Sequence, residues 1–191
     1  MVVYEFVLQV LTGKVKGRKL KVPRGRTIRP TTSRVKKVIF DTLGDISDFE
    51  VLDLFAGSGS LGIEALSRGA SEVTFVEKNP SVCRVLRENL TLCGFLDRAT
   101  VICSDYGLAL KRLKRSAKSF DLVFIDPPYS LYEKKSVSEL VREAEGVLRK
   151  DGIIVIEHNY RLEDKDTPEG FTRVTKPFGG TQLSFFRRAD R

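Results

Sequence analysis

The chain has 191 residues, and 33 Lys and Arg stand against 25 Asp and Glu, a formal net charge of +8 at pH 7. That length fits one domain or one domain with a small appendage, and 41% apolar with 30% charged residues excludes wholesale disorder. No stretch approaches the roughly 20 apolar residues of a membrane span, and the apolar start Val2 to Leu11 is broken by Glu5 and Gln9 and lacks a basic opening, so a soluble, cytoplasmic protein is expected.

Cys83, Cys93 and Cys103 form no C-x-x-C pair and leave one thiol over. They support neither a disulfide framework nor a zinc site, and no metal is expected. With His158 the only histidine, schemes that need two imidazoles are excluded. All four residues read as packing or surface side chains.

Taken in chain order, residues 4 to 11 and 18 to 22 cluster apolar residues around Gly13 and Gly17 and predict a small β-hairpin. Residues 1 to 40 hold 11 of the bases and a single acid, Glu5, so the whole basic excess is N-terminal. Lys14, Lys16, Arg18, Lys19, Arg29 and Arg34 belong to this block, as do Lys36 and Lys37. Segregated charge of one sign next to a nearly neutral remainder suits a polyanion, and RNA is the expected partner.

Thr31 or Thr32 is a candidate cap for a helix with apolar face Val35, Val38, Ile39 and Leu43, ending near Gly44. Five apolar runs follow, at Val51 to Phe55, Val73 to Val76, Thr100 to Cys103, Leu122 to Ile125 and Ile153 to Ile156, separated by segments of helical periodicity. That alternation predicts an α/β fold with a parallel sheet covered on both faces. One of these helices carries every local signal: Asn79 as cap, Pro80 at the first position, a stripe of Val82, Val85, Leu86 and Leu90, and Gly94 as stop. Phe171 to Val174 and Gln182 to Phe186, around Pro177, Gly179 and Gly180, predict two closing strands with an antiparallel member.

Two stretches carry chemistry. Asp53 to Gly62 follows the first predicted strand and opens a helix, and Gly57, Gly59 and Gly62 satisfy G-x-G-x-x-G. Glycines there allow a ligand to approach the backbone at a helix N-terminus, and Glu77, ending the next strand, stands where an acid receives ribose hydroxyls. Spacing alone does not separate a nicotinamide cofactor from S-adenosylmethionine. Asp53 discriminates, because a carboxylate could face a methionine amino group and offers nothing to a pyrophosphate.

After the fourth strand comes Asp126-Pro127-Pro128-Tyr129. Two prolines remove two N–H donors, so the turn offers the Asp126 carboxylate and carbonyl oxygens as acceptors, which suits an –NH2 group. An exocyclic amine is a poor nucleophile while its lone pair is delocalised. Asp126 and the Pro127 carbonyl, holding its two protons, would let the nitrogen pyramidalise, and Tyr129 offers a ring for a base to stack on.

The run Asp53 to Gly59, with Phe55, Gly57, Ser58 and Gly59, resembles the first motif of class I S-adenosylmethionine-dependent methyltransferases, and Asp105 in Ser104-Asp105-Tyr106 matches their acid beside the adenine amine. Asp-Pro-Pro-Tyr resembles the fourth motif of the amino-group methyltransferases, whose Asp form appears among RNA guanine-N2 enzymes. With Gly13 to Leu20, Arg29 to Lys36 and Gly180 to Phe186, the whole chain resembles the bacterial 16S rRNA guanine-N2 methyltransferases of the RsmD type. The resemblance implies a doubly wound, mostly parallel seven-stranded sheet behind a small N-terminal hairpin, with residues 1–30 as hairpin and basic loop and 31–191 as the methyltransferase domain. It implies methyl transfer from S-adenosylmethionine to a guanine N2 amine of 16S rRNA, free or in the small ribosomal subunit. The rival readings are methylation of adenine N6 or a protein glutamine, a nicotinamide oxidoreductase, and a non-catalytic RNA-binding protein on the same fold.

Overall fold

The computed structural model describes residues 8–22 and 33–189. Seven strands form one sheet in the order β5-β4-β3-β6-β7-β9-β8, preceded by a two-stranded hairpin of β1 (Leu8–Gln9) and β2 (Lys19–Leu20). The first five members are parallel: β3 (Glu50–Asp53), β4 (Glu72–Glu77), β5 (Ala99–Cys103), β6 (Phe120–Ile125) and β7 (Leu148–His158). The closing pair β8 (Phe171–Phe178) and β9 (Thr181–Arg188) is antiparallel, with β9 inserted against β7. Pro177 lies within β8 rather than in the turn; β8 is the sheet edge, where a missing N–H breaks no ladder.

Alternation along the parallel strands sorts the core into two layers. Val51, Phe75, Leu122, Phe124 and Val155 pack with α1 (Ser33–Leu43), α2 (Ser60–Ser67) and α3 (Pro80–Cys93). Their neighbours Leu52, Val76, Val123, Ile125 and Ile154 pack with α4 (Tyr106–Arg115) and α5 (Val137–Glu145) on the other face. Burial on both faces is what a parallel sheet requires. The α3 signals all operate: the Asn79 side chain accepts from the Ser81 and Val82 amides, Pro80 opens the helix, and Gly94 takes a left-handed conformation at its end. Thr31 and Thr32, the expected caps of α1, lie outside the described residues.

Residues 4–7 of the predicted hairpin lie outside the described residues, and among the described ones the paired strands are Leu8–Gln9 and Lys19–Leu20. Past Val10, whose N–H still donates to Arg18 O at 3.0 Å, the chain turns its amides toward α2: Leu11 and Thr12 N–H donate to the Glu64 carboxylate at 2.7 and 3.0 Å, and Val15 N–H donates to Ser67 Oγ. Side-chain acceptors replace the ladder. Gly13, at φ 82°, makes this seat possible, because a Cβ there would meet Ser67 O at 1.8 Å. Leu8, Val10 and Leu20 are buried in the same cluster as the sheet.

Lys36, a member of the basic block, does not face solvent. It is buried, donating to Gln9 O at 2.7 Å and to Glu64 at 3.5 Å, and burial lowers its pKa despite the carboxylate beside it. Lys37 is exposed and pairs with Asp41. His158 is buried between Tyr160 O and Ser184 Oγ, each 2.8 Å from a ring nitrogen, and burial lowers its pKa. Cys83 and Cys93 are buried and Cys103 is exposed, all free thiols, with the Cys83 and Cys103 sulfurs 2.7 Å apart. Among the described residues no cluster could hold a metal ion, and no helix is long and apolar enough to cross a membrane.

Candidate active site

Sheet register gathers the acids. Asp53 ends β3 opposite Phe75 on β4 and Phe124 on β6, so Glu77 and Asp126 both lie two residues further along the flanking strands. Asp53 therefore stands behind a gap bounded on either side by Glu77 and Asp126, at the C-terminal edge where open α/β sheets bind ligands. A cleft of about 470 Å³ occupies this edge, a size suited to one small organic molecule. Glu77, Asp105 and Asp126 supply its carboxylates, and Phe55, Val82 and Tyr106 supply apolar wall.

Two of the cleft acids are held by backbone donors. Glu77 accepts the Gly57 amide at 3.2 Å on one oxygen and the Asn79 amide at 2.8 Å on the other. A carboxylate has about four lone-pair sites, so capacity remains for two hydroxyls. Asp105 caps α4 through Oδ1, which accepts the Gly107 amide at 2.9 Å, and its exposed side chain also lines the cleft. Phe55 and Tyr106 form a ring pair with centroids 4.9 Å apart. Gly59, at φ 88°, opens α2 where a Cβ would strike the Leu86 side chain at 2.4 Å, so any other residue would be strained at that φ and would displace Leu86.

Asp53 sits below this cleft. It is buried and accepts the Gly62 amide at 3.1 Å. Burial pushes its carboxyl up to about 7, with the Gly62 N–H pulling the other way and the charges of Asp126 and Glu77 adding to the rise. Ser58 is buried, and its carbonyl accepts from Asn89 Nδ2 at 2.9 Å.

The Asp-Pro-Pro-Tyr turn follows β6 directly. Asp126 and Pro128 line the cleft, Pro127 is buried, and Tyr129 is 41% exposed. Tyr129–Leu131 forms a single 3-10 turn closed by the Leu131 amide on Pro128 O at 2.8 Å. Beyond it, Tyr132 donates to Glu157 O at 2.5 Å and the Val137 amide donates to the Tyr160 hydroxyl at 2.9 Å. The loop is thereby fastened to the end of β7.

Comparison with known proteins identifies the family. The family model described as conserved hypothetical protein 95 matches residues 8–187. Ribosomal RNA small subunit methyltransferase D of Haemophilus influenzae is 35% identical over 176 residues, covering 91% of this chain and 89% of that protein. Its Escherichia coli namesake is 36% identical over 151 residues, covering 78% and 74%. The chain belongs to the RsmD family. A solved structure named as a methyltransferase of E. coli superposes with a TM-score of 0.79 at 31% identity, covering 94% of this chain and 97% of that one. At 16% identity, a methyltransferase complexed with S-adenosylhomocysteine shares the fold, with a TM-score of 0.65 over 80% of this chain and 48% of that one.

As a class I methyltransferase of the RsmD family, the chain takes S-adenosylmethionine as its cofactor. The donor set fits an adenosine: Glu77 for the ribose hydroxyls, Asp105 for an amine, and the Phe55, Val82 and Tyr106 wall for a flat ring.

Of the expected site residues, the cleft brings together Phe55, Gly57, Glu77, Asp105 and Asp126, whereas Asp53, Ser58, Gly59, Pro127 and Tyr129 are not part of its wall. Lys14, Lys16 and Arg18 are exposed on the segment between β1 and β2, Lys19 is exposed on β2, Arg34 is exposed on α1, and Arg29 lies outside the described residues. Sequence reasoning missed Lys78, Ser104 and Lys134, which also line the cleft. Lys78 and Ser104 directly follow β4 and β5, a signal the strand-end rule carries. Lys134 sits eight residues past Asp126, where only the folded loop brings it back.

Proposed function

We propose that this chain transfers a methyl group from S-adenosylmethionine to the exocyclic N2 amine of a guanine in 16S rRNA, free or in the small ribosomal subunit. The observation that carries the reading is the placement of Asp126 on the same cleft as Glu77 and Asp105, so that amine acceptors and cofactor acceptors share one chamber. The Asp form of the fourth motif, and the small-subunit rRNA methyltransferases among the relatives, favour guanine N2 and this RNA.

Bound S-adenosylmethionine supplies an electrophilic methyl carbon on a positive sulfur. Asp126 and the Pro127 carbonyl accept the two N2 protons, which localises the nitrogen lone pair toward that carbon. Tyr129, exposed beside the turn, stacks on the splayed base. Methylation of the amine would release one of its protons, which Asp126 would accept or pass to solvent. Glu77 and Asp105 would hold the adenosine, and Asp53 would offer its carboxylate to the methionine amine. Lys14, Lys16, Arg18, Lys19, Arg29 and Arg34 contact phosphates.

Incubation of unmodified 16S rRNA and of small subunits with labelled S-adenosylmethionine, followed by nucleoside mass spectrometry, tests the reading. N2-methylguanosine is the expected product. Label in N6-methyladenosine or in protein glutamine would replace it.

A further inference from the structure

Asn89 lies in the apolar stripe of α3, between Leu86 and Leu90, and is fully buried. A carboxamide has one acceptor oxygen and two donor hydrogens. The oxygen accepts the Lys21 amide at 2.8 Å, while Nδ2 donates to Lys21 O at 3.0 Å and to Ser58 O at 2.9 Å. The donor–acceptor pattern fixes the orientation of the amide, since a flipped carboxamide would set its oxygen against two carbonyls. One side chain thus binds the main chain of the basic segment to the main chain of the glycine loop.

A second tether runs parallel to it. Glu64 and Ser67, on the helix that the glycine loop opens, hold Leu11, Thr12 and Val15 by their amides. Lys16, Arg18 and Lys19 lie between the two attachments, exposed, and Lys21 beyond them pairs with half-buried Glu88 through its side chain. Moving either backbone alone leaves donors or acceptors of a buried amide unsatisfied, which is costly. A ligand that holds the glycine loop therefore also holds the basic segment, and the reverse.

We propose that Asn89 is a positioning residue that couples the two ligands, so that RNA on the basic segment tightens cofactor binding and cofactor tightens RNA binding by the same factor. This rests on the function proposed above. Linkage requires the reciprocity once coupling exists, and shared ordering of one unit supplies it without a large displacement.

The test measures S-adenosylhomocysteine affinity of the full chain by titration calorimetry, with and without saturating unmodified 16S rRNA transcript, for the wild type and Asn89→Leu. The wild type should bind S-adenosylhomocysteine about fivefold or more tighter with RNA present. In Asn89→Leu, which leaves the Glu64 and Ser67 tether in place, the factor should fall toward one while each ligand alone still binds; this split is one that a residue important only for folding would not produce. A wild-type factor of one with both ligands bound, or an unchanged factor in Asn89→Leu, overturns the coupling and leaves the proposed function standing. Failure of the wild type to bind the RNA overturns both. Should Asn89→Leu not fold, hydrogen exchange of the wild-type peptide 10–22 decides: slowing by S-adenosylhomocysteine alone supports the tether, and unchanged exchange overturns it.

Discussion

The glycine-loop side of the cleft and the Asp-Pro-Pro-Tyr side are built by opposite means. On the first, carboxylates are loaded with backbone donors: Glu77 takes two amides and Asp53 takes that of Gly62. On the second, prolines remove donors, and Pro128 sits at φ −61°, ψ 143°, so the turn is rich in acceptors. A cofactor used in every cycle can be received by side chains already fixed in place. An amine that must change geometry during reaction needs acceptors that follow its protons. Binding and chemistry should therefore separate between the two sides when each is damaged.

The largest separation is expected from Asp126→Ala. Loss of a positioned acceptor and proton relay should lower kcat by about 10²–10⁴-fold, with S-adenosylhomocysteine affinity changed by no more than about twofold. Single-turnover methylation and calorimetry on the same preparation measure both. Equal losses in rate and affinity would make Asp126 a structural residue and erase the contrast. The mirror experiment is Glu77→Ala, which should weaken S-adenosylhomocysteine by about 1.5–3 kcal/mol, the size of a charge-assisted hydrogen bond, with a smaller effect on rate at saturating cofactor. An unchanged calorimetric affinity would remove Glu77 from the ribose.

The parts of this design that were legible in the sequence are those set by short-range chemistry. Asn79, Pro80 and Gly94 bounded α3 because capping and left-handed turns depend on neighbours a few residues away. The glycine loop, Glu77 and Asp126 were legible because strand ends of a parallel sheet converge on one edge. The second attachment of each group was not. Lys36 reads as one more cation in a basic block, and its burial against Glu64 follows from a partner 28 residues away. Asn89 reads as a polar interruption of a helix face; its position within a stripe of leucines was the available signal, since a polar group buried there needs partners. Tethers of the hairpin to α2 were equally invisible, because alternation of apolar residues predicts a strand wherever nothing better claims its amides.

A third test extends the comparison to the basic segment, which neither binds cofactor nor touches the reacting atoms in this scheme. Replacing Lys16, Arg18 and Lys19 together by Ala should weaken RNA binding by roughly tenfold or more. The slope of log affinity against log salt should shrink by about 0.7 to 0.9 for each phosphate that is no longer neutralised. S-adenosylhomocysteine affinity without RNA should stay as it was, since all three side chains are exposed. A salt slope identical to the wild type would move the RNA footprint off this segment.

The smallest effect is the most specific to the glycine-loop side, and it comes from Asp53. Its carboxyl is raised from 3.8 to about 7, first by burial and then by the charges of Asp126 and Glu77, against the pull of the Gly62 amide. In the free folded chain it keeps its proton up to about neutral pH, whereas in the unfolded chain it ionises near its ordinary value. The folded state binds the extra proton between these limits, so Asp53 contributes stability that is full below about 4 and is lost as pH rises through about 7. A ligand bearing an ammonium group next to it favours the ionised form instead. S-adenosylhomocysteine affinity should then rise with pH up to about 7, by at most about tenfold per unit, and flatten above, with proton release visible when calorimetry is repeated in buffers of different ionisation enthalpy. Asp53→Asn should abolish both the slope and the released proton. If the variant keeps the wild-type pH dependence, the methionine amine is held by another group, and Asp53 serves the glycine loop through Gly62 alone.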